Sequence, residues 1–525
     1  MYMKWPPSTD PAAAALRYHP ADEKIDVANR LRIYAGQAGL NLENSPDAAK
    51  RLLEPAPGVL PLDLNGVFRE SQKTGREFLN AEESYLLSAI RVLQERHLWG
   101  PQLFNDTNLV LAGEGENGNF EHALDVINRL RIAQRLPYGG SVEAAWIVAA
   151  TQQLRNTATD RYRQSSSIVL SGNVPLLRGA GMVAQENLIQ TERDLVYAAR
   201  DFERFRREYL VSLASDYFNL LLSRDAIVNQ LRSISSLENL ERATAAKVEA
   251  GRVEAFEKGI ASNRVQSARS GLVSLVNQYI ARAQRLQIRL GRSIDQPIGL
   301  VDDVLRLPDP QPDEVTGAQL ALEYRLDLQN LRDRLDDSRR AVANARNELL
   351  PDLNVGGTIT IPTDPDNSTG GLAIDPGELN YAATANLSLP LNREVERLNL
   401  RARMIELNRQ VRNYEEAREN VIAEVRDAIR SVLSARLQLQ LAESQVEINR
   451  LRLRGQQLQI DTVDTQSLVD SENALLESEN ERDRALTDLR NAVLDFLLAT
   501  GQLRVAYDGT FLPLPGMEIA PAEAP

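Results

Sequence analysis

Acidic residues crowd the two points where long helical patterns break. The first break carries Gly251, Arg252, Val253, Glu254 and Glu257, and the second carries Asp461, Asp464, Asp470 and Glu472. Read blandly, these are solvated helix ends. In a symmetric assembly, however, each inward carboxylate becomes a ring of like charge. Such a ring attracts cations and raises the repulsion inside a constriction. The chemistry on offer is ion selection and gating.

Other candidate chemistries fall away. His19, His97 and His122 are scattered, with no second ligand at metal spacing. With no cysteine there is no disulfide, thiolate metal site or cysteine-linked lipid anchor. Gly113-Glu-Gly-Glu-Asn-Gly118 matches G-x-G-x-x-G literally. No helix opens after it and its carboxylates would repel a pyrophosphate, so it reads as a turn. Asp364-Pro-Asp-Asn-Ser368 lacks the rest of a calcium loop and reads as an exposed loop. There is no Gly-x-Ser-x-Gly nucleophile turn, so neither an enzyme nor a cofactor is expected. A net charge of −13, from 60 basic and 73 acidic residues, argues against nucleic acid.

The elements that position the two acidic breaks occur twice along the 525 residues. Pro175-Leu176 recurs as Pro390-Leu391, an offset of 390 − 175 = 215. Gly251 has its counterpart near Asp464, and Leu290-Gly291 recurs as Thr500-Gly501. Each half reads as helix, proline, strands, Pro-Leu, very long helix, break, long helix, glycine, and a long repeat of this kind governs every local assignment. The first repeat covers 64–291, with strands over 101–176 and a helical hairpin over 181–291 whose tip lies near 251–257. The second covers 326–501, with strands over 353–390 and a hairpin over 392–501 whose tip lies near 461–470. Residues 1–63 read as a poorly ordered lead-in, 292–325 as a linker and 502–525 as a tail.

Two periods separate the element types. Leu124, Val126, Leu130 and Ile132 alternate with Asp125, Arg129 and Arg131. Val142, Ala144, Trp146 and Val148 follow the Pro137-Tyr-Gly-Gly140 turn, and Tyr381, Ala383, Ala385 and Leu387 repeat the scheme later. These are period-two strands, four in the first half and two in the second. The long helices instead carry heptads: Val425, Val432, Leu439, Val446 and Leu453 form one stripe beside Val421, Ala428, Ala435 and Ala442. A seven-residue period specifies helices supercoiled on partners.

Strands with one apolar and one polar face fit a membrane β-barrel. Four or six strands cannot close one, because about eight is the practical minimum. Open sheet edges are prohibitive in lipid. Several copies are therefore expected to complete the barrel, and their helices to continue it as a hollow cylinder. Tyr138, Trp146, Tyr162 and Tyr381 are candidates for an aromatic girdle at the lipid boundary. The N-terminus has no apolar h-region, so no signal peptide is visible, yet the strand pattern favours the outer membrane. The alternative is a coiled-coil scaffold without a pore, which leaves the strands unexplained. A monomeric porin fails on strand count.

Several segments also carry a family resemblance: Glu249-Ala-Gly-Arg-Val253 through Ala261-Ser-Asn-Arg-Val-Gln-Ser-Ala268, Leu349-Leu-Pro-Asp-Leu-Asn-Val355, Leu387-Ser-Leu-Pro-Leu391 and Ser467-Leu-Val-Asp-Ser-Glu-Asn-Ala474. In order, spacing and duplication, residues 64–505 resemble the TolC-like outer-membrane efflux proteins. The resemblance implies an α+β membrane protein: a homotrimer with a transmembrane β-barrel, a long periplasmic α-helical barrel and a mixed equatorial region. It implies passive export through a tripartite efflux or type I secretion system, with a periplasmic adaptor and an inner-membrane pump as partners. It also implies that the acidic entrance lies at the second tip, with Asp461, Asp464 and Asp470 as candidate gate residues. Gly251, Arg252, Val253 and Glu254 become the candidate adaptor contact. Three departures stand out: six strands per chain in place of four (18 in a trimer in place of 12), Asp464 where the second tip usually has glycine, and the absent signal peptide.

Overall fold

The computed structural model describes residues 46–47, 49–50, 60–116, 119–153, 162–294, 298–301, 313–363, 376–459, 463–504 and 506. Strand β1 (Leu60–Leu62) is followed by helices α1 (Leu64–Thr74) and α2 (Arg76–Leu98). Strands β2 (Gln102–Glu116), β3 (Asn119–Arg135), β4 (Ser141–Gln153) and β5 (Tyr162–Pro175) lead to α3 (Glu186–Glu249) and α4 (Ala255–Arg289). The chain continues as β6 (Ile298–Leu300), α5 (Glu314–Tyr324), α6 (Leu326–Asn347), β7 (Asp352–Pro362), β8 (Asn380–Ser388), α7 (Glu394–Leu458) and α8 (Thr465–Ala499). The hairpins are matched in length, with helices of 64 and 35 residues in the first and 65 and 35 in the second. At about 1.5 Å per residue the longer arms span roughly 100 Å.

Six strands form one antiparallel sheet in the order β2-β3-β4-β5-β7-β8. Because side chains alternate, the pairing register sorts the residues into two faces. One row of directly paired residues is Leu103, Ile132, Ala144, Leu170, Ile359 and Tyr381, all on the apolar face. The row of Glu143, Ser171 and Thr358 lies on the other face. The rows also climb across the sheet. Leu103 is the second residue of β2, near the end that follows α2, whereas Tyr381 sits at the end of β8 remote from α7. The β3–β4 turn needs Gly140 at φ +83°, because a Cβ there would lie 1.8 Å from the Asn173 carbonyl oxygen. Strand β2 runs on through Gly113 and Gly115 to Glu116, so most of the expected G-x-G-x-x-G turn is strand.

The helices form a layer with the order α2-α3-α6-α7 next to the sheet and α4-α3-α8-α7 beyond it. Slots beside α3 and α7 are thus each filled by two short helices end to end. In the first, Gly291 ends the α4 arm at φ +72°, and a Cβ there would lie 1.9 Å from the Thr74 carbonyl oxygen. In the second, Gly501 also adopts φ +72°, and a Cβ there would lie 3.2 Å from the Tyr324 carbonyl carbon and 3.3 Å from the Arg325 nitrogen. The helical segment that opens the first repeat is accordingly broken at Gly75, where a Cβ would lie 2.3 Å from the Ser71 carbonyl oxygen and 2.8 Å from the Tyr209 hydroxyl. The heptad residues Val421, Val425, Val432, Ala435, Ala442, Val446 and Leu453 are buried on α7.

Residues 60–62, placed in the N-terminal lead-in by sequence, form β1 and pair in parallel with β6. Three residues including a proline show no period, and the pairing needs a partner more than two hundred residues away. Tyr217 of α3 holds this small sheet: its hydroxyl lies 2.5 Å from the Val301 carbonyl and 3.2 Å from that of Leu62, donating to one at a time. The ring itself is fully buried. Tyr217→Phe should cost about 1–2 kcal/mol, the loss of one buried hydrogen bond with its acceptors left unmet. Denaturant unfolding reads this directly, and an unchanged midpoint would remove the hydroxyl from the account.

Candidate functional site

The first helical tip is a closed piece of backbone. Gly251 adopts φ +68°, its N–H donates to Val248, and the Arg252 N–H donates to Lys247. This pair of bonds satisfies the last carbonyls of α3 and requires the left-handed glycine. Gly251, Arg252 and Glu254 stand exposed and Val253 is half-buried; Phe256, one turn on, is also largely exposed. Sequence reasoning picked out this tip but missed the apolar Phe256 at its rim.

The second tip places its acids differently. Asp464 is the N-cap of α8: its carboxylate accepts from the Ser467 N–H at 2.6 Å and the Ser467 hydroxyl at 3.0 Å. These bonds hold the Asp464 carboxyl below its ordinary range. Asp470 lies within α8 and is exposed, accepting one bond from Gln466 at 2.8 Å. Asp461 lies outside the described residues. Of the three, Asp464 shapes the helix entry and Asp470 presents the free charge.

Contacts between the tips carry no simple sequence signal. Thr465 donates to Glu257 at 2.6 Å, and Arg264 donates to Asn473 at 3.0 Å. Higher up, Glu479 is buried between Arg232 of α3 (2.8 Å) and Arg450 of α7 (3.3 Å). Asn229 bonds Asn480 and Asp483 in the same layer. The available clue was that Glu472 and Glu479 are seven residues apart on the buried face of α8.

The polar face of the sheet is charged and internally paired. Arg131 bonds Asp106 at 2.9 Å and Glu143 at 3.3 Å, with its guanidinium 4.3 Å from the centre of the Phe104 ring. On the apolar face, Trp146 donates to Ser166 at 3.1 Å from mid-strand, and Tyr381 is exposed in the apolar row. Tyr138 is exposed in the β3–β4 turn. Tyr162 opens β5, and its side chain is not among those described. Thus Tyr138 and Tyr381 occupy strand ends, while Trp146 does not.

A sheet with one apolar face, joined to coiled hairpins roughly 100 Å long, is a specific combination. Comparison with solved structures finds it in the outer-membrane channel OprN, at 15% identity and a TM-score of 0.63, covering 85% of this chain and 90% of that one. It recurs in the Campylobacter jejuni CmeC channel (14% identity, TM-score 0.63, 86% and 91% covered). The open Neisseria gonorrhoeae MtrE channel is also similar (15%, TM-score 0.61, 83% and 88%). The fold is that of the TolC-like outer-membrane channels. The chain resembles that family in sequence too, since residues 317–493 match the Outer membrane efflux protein family. No curated protein sequence matches it. The matched residues cover most of α5, all of α6, β7, β8 and α7, and most of α8, so they include Asp464 and Asp470 but not the first tip.

Proposed function

We propose that the chain is one protomer of a homotrimeric outer-membrane channel, a passive duct across the outer membrane and periplasm for small compounds or polypeptides. Three six-stranded sheets would join edge to edge into an 18-strand barrel, continued by a tube of helices. The observation that carries this reading is the sheet itself: apolar on one face, charged on the other, with β2 and β8 at its edges and each paired on one side only among the described residues. Open edges in lipid leave backbone groups unsatisfied, and closure with further copies removes them.

The helical layer supports the same assembly. Its outer helices, α2 and α7, both carry exposed apolar stripes, with Leu86, Ile90 and Leu93 on α2 and Leu433, Leu437, Leu441, Ile448 and Leu451 on α7. Stripes of this size mark protein interfaces. The exposed tip at Gly251, Arg252, Val253 and Glu254 would meet a periplasmic adaptor, and through it an inner-membrane pump in a tripartite efflux or type I secretion system. Asp470, with Asp464 and Asp461 at the turn, would line the gate.

The test is conductance of the purified full-length protein in planar bilayers. Discrete, cation-selective steps are expected from a heat-modifiable trimer. In Asp470→Ala, cation selectivity and block by divalent ions should both fall, because a ring of three charges disappears. A protein without channel activity would overturn the duct; unchanged selectivity and block in Asp470→Ala would overturn the gate alone.

A further inference from the structure

Two glutamates on the buried face of α8 are treated very differently. Glu479 is clasped by Arg232 and Arg450. Glu472, one heptad nearer the tip, is only 7% exposed, with Ser236 beside it in the same lining. Among the described residues no arginine or lysine pairs with it, and the charge of Glu479 adds repulsion. Burial and that repulsion push the Glu472 carboxyl up from its ordinary range, only partly offset by Ser236. Glu472 lines a cavity of about 230 Å³ between α3, α7 and α8. Its apolar walls come mainly from Leu237, Leu240, Leu453 and Leu468, and the neutral side chains of Ser236, Asn239 and Gln457 complete the lining.

We propose that this cavity binds a small amphipathic organic cation, with the ammonium group on the Glu472 carboxylate and its hydrocarbon body against the four leucines. The argument is one of complementarity. A buried carboxylate without a counter-charge is costly, and an ammonium group supplies both the charge and the donors it lacks. Largely apolar walls with a few polar groups and one charge are how small-molecule sites confer orientation. A hard metal ion fits less well, since the lining offers a single carboxylate beside the neutral side chains of Ser236, Asn239 and Gln457, and its remaining walls are apolar. The inference uses the fold of one protomer and goes beyond the duct reading: binding without conductance would leave this site standing and sink the channel.

The experiment is calorimetric titration of the full-length protein in detergent with benzylammonium chloride, and with benzyl alcohol as the uncharged analogue. Saturable benzylammonium binding is expected. It should weaken about tenfold or more in Glu472→Gln, which keeps the shape and removes the charge, and likewise in Leu468→Trp, which fills the cavity. Benzyl alcohol should bind more weakly, with no difference between the parent and Glu472→Gln. Circular dichroism confirms that both variants are folded. Absence of saturable binding, or equal affinity in the parent and Glu472→Gln, would overturn the proposal. Loss in Glu472→Gln but full binding in Leu468→Trp would overturn the cavity as the site.

Discussion

Leu437→Glu combined with Leu441→Glu is expected to abolish the proposed trimer while leaving the protomer folded. Both leucines face outward from α7, 57% and 61% exposed, on the side opposite its buried seam with α8. Complete burial of a leucine is worth about 1.5–3 kcal/mol, and roughly half of each is already covered. Each substitution acts three times in a trimer, so the assembly loses on the order of 5–10 kcal/mol before the cost of burying carboxylates is added. Heat-resistant migration in detergent should give way to monomer, with helical circular dichroism retained. A trimer of undiminished heat resistance would place the interface elsewhere.

The second large effect separates two glycines that share one backbone conformation. Gly291 and Gly501 both sit at φ +72°, where an L-residue costs about 1–2 kcal/mol. Their surroundings differ. A methyl group at Gly291 would lie 1.9 Å from the Thr74 carbonyl oxygen, which is rigid backbone at the α1–α2 junction; at Gly501 the nearest atom would be 3.2 Å away. Gly501→Ala should therefore cost about the backbone term alone. Gly291→Ala adds the cost of an overpacked contact, for a total of about 2–5 kcal/mol. Unfolding by denaturant measures both, and equal destabilisation would show that the close approach relaxes freely.

The contrast also shows which parts of the fold could be read from sequence. Five of the six strands were legible because period two persisted over many residues, whereas β2 runs through the Gly113-Glu-Gly-Glu116 stretch that reads as a turn; the α7–α8 seam was legible because its heptads hardly lapse. Breaks made by tertiary contact were not. Tyr324 and Leu326 flank the α5–α6 break with neither proline nor glycine there, and what ends the helix is the packing of Gly501 against it. The break at Gly75 likewise depends on neighbours that sequence does not reveal, the Ser71 carbonyl and the Tyr209 hydroxyl. At the tips, Asp464 carried a readable sign of a cap, a serine three residues on, but its charge drew attention first. Glu472 and Glu479 look alike in sequence; only the positions of Arg232 and Arg450 on other helices tell them apart.

The climbing row from Leu103 to Tyr381 has a geometric consequence for the proposed ring of three copies. In that ring each sheet would hand its neighbour an edge already shifted along the strand, so the three copies would accumulate the same slant three times over. Strands in such a ring must lean to one side, and the lean, more than the strand number alone, sets how wide the opening can be. Lengthening or shortening β8 by two residues would preserve its inward and outward faces yet alter that slant, and with it the bore.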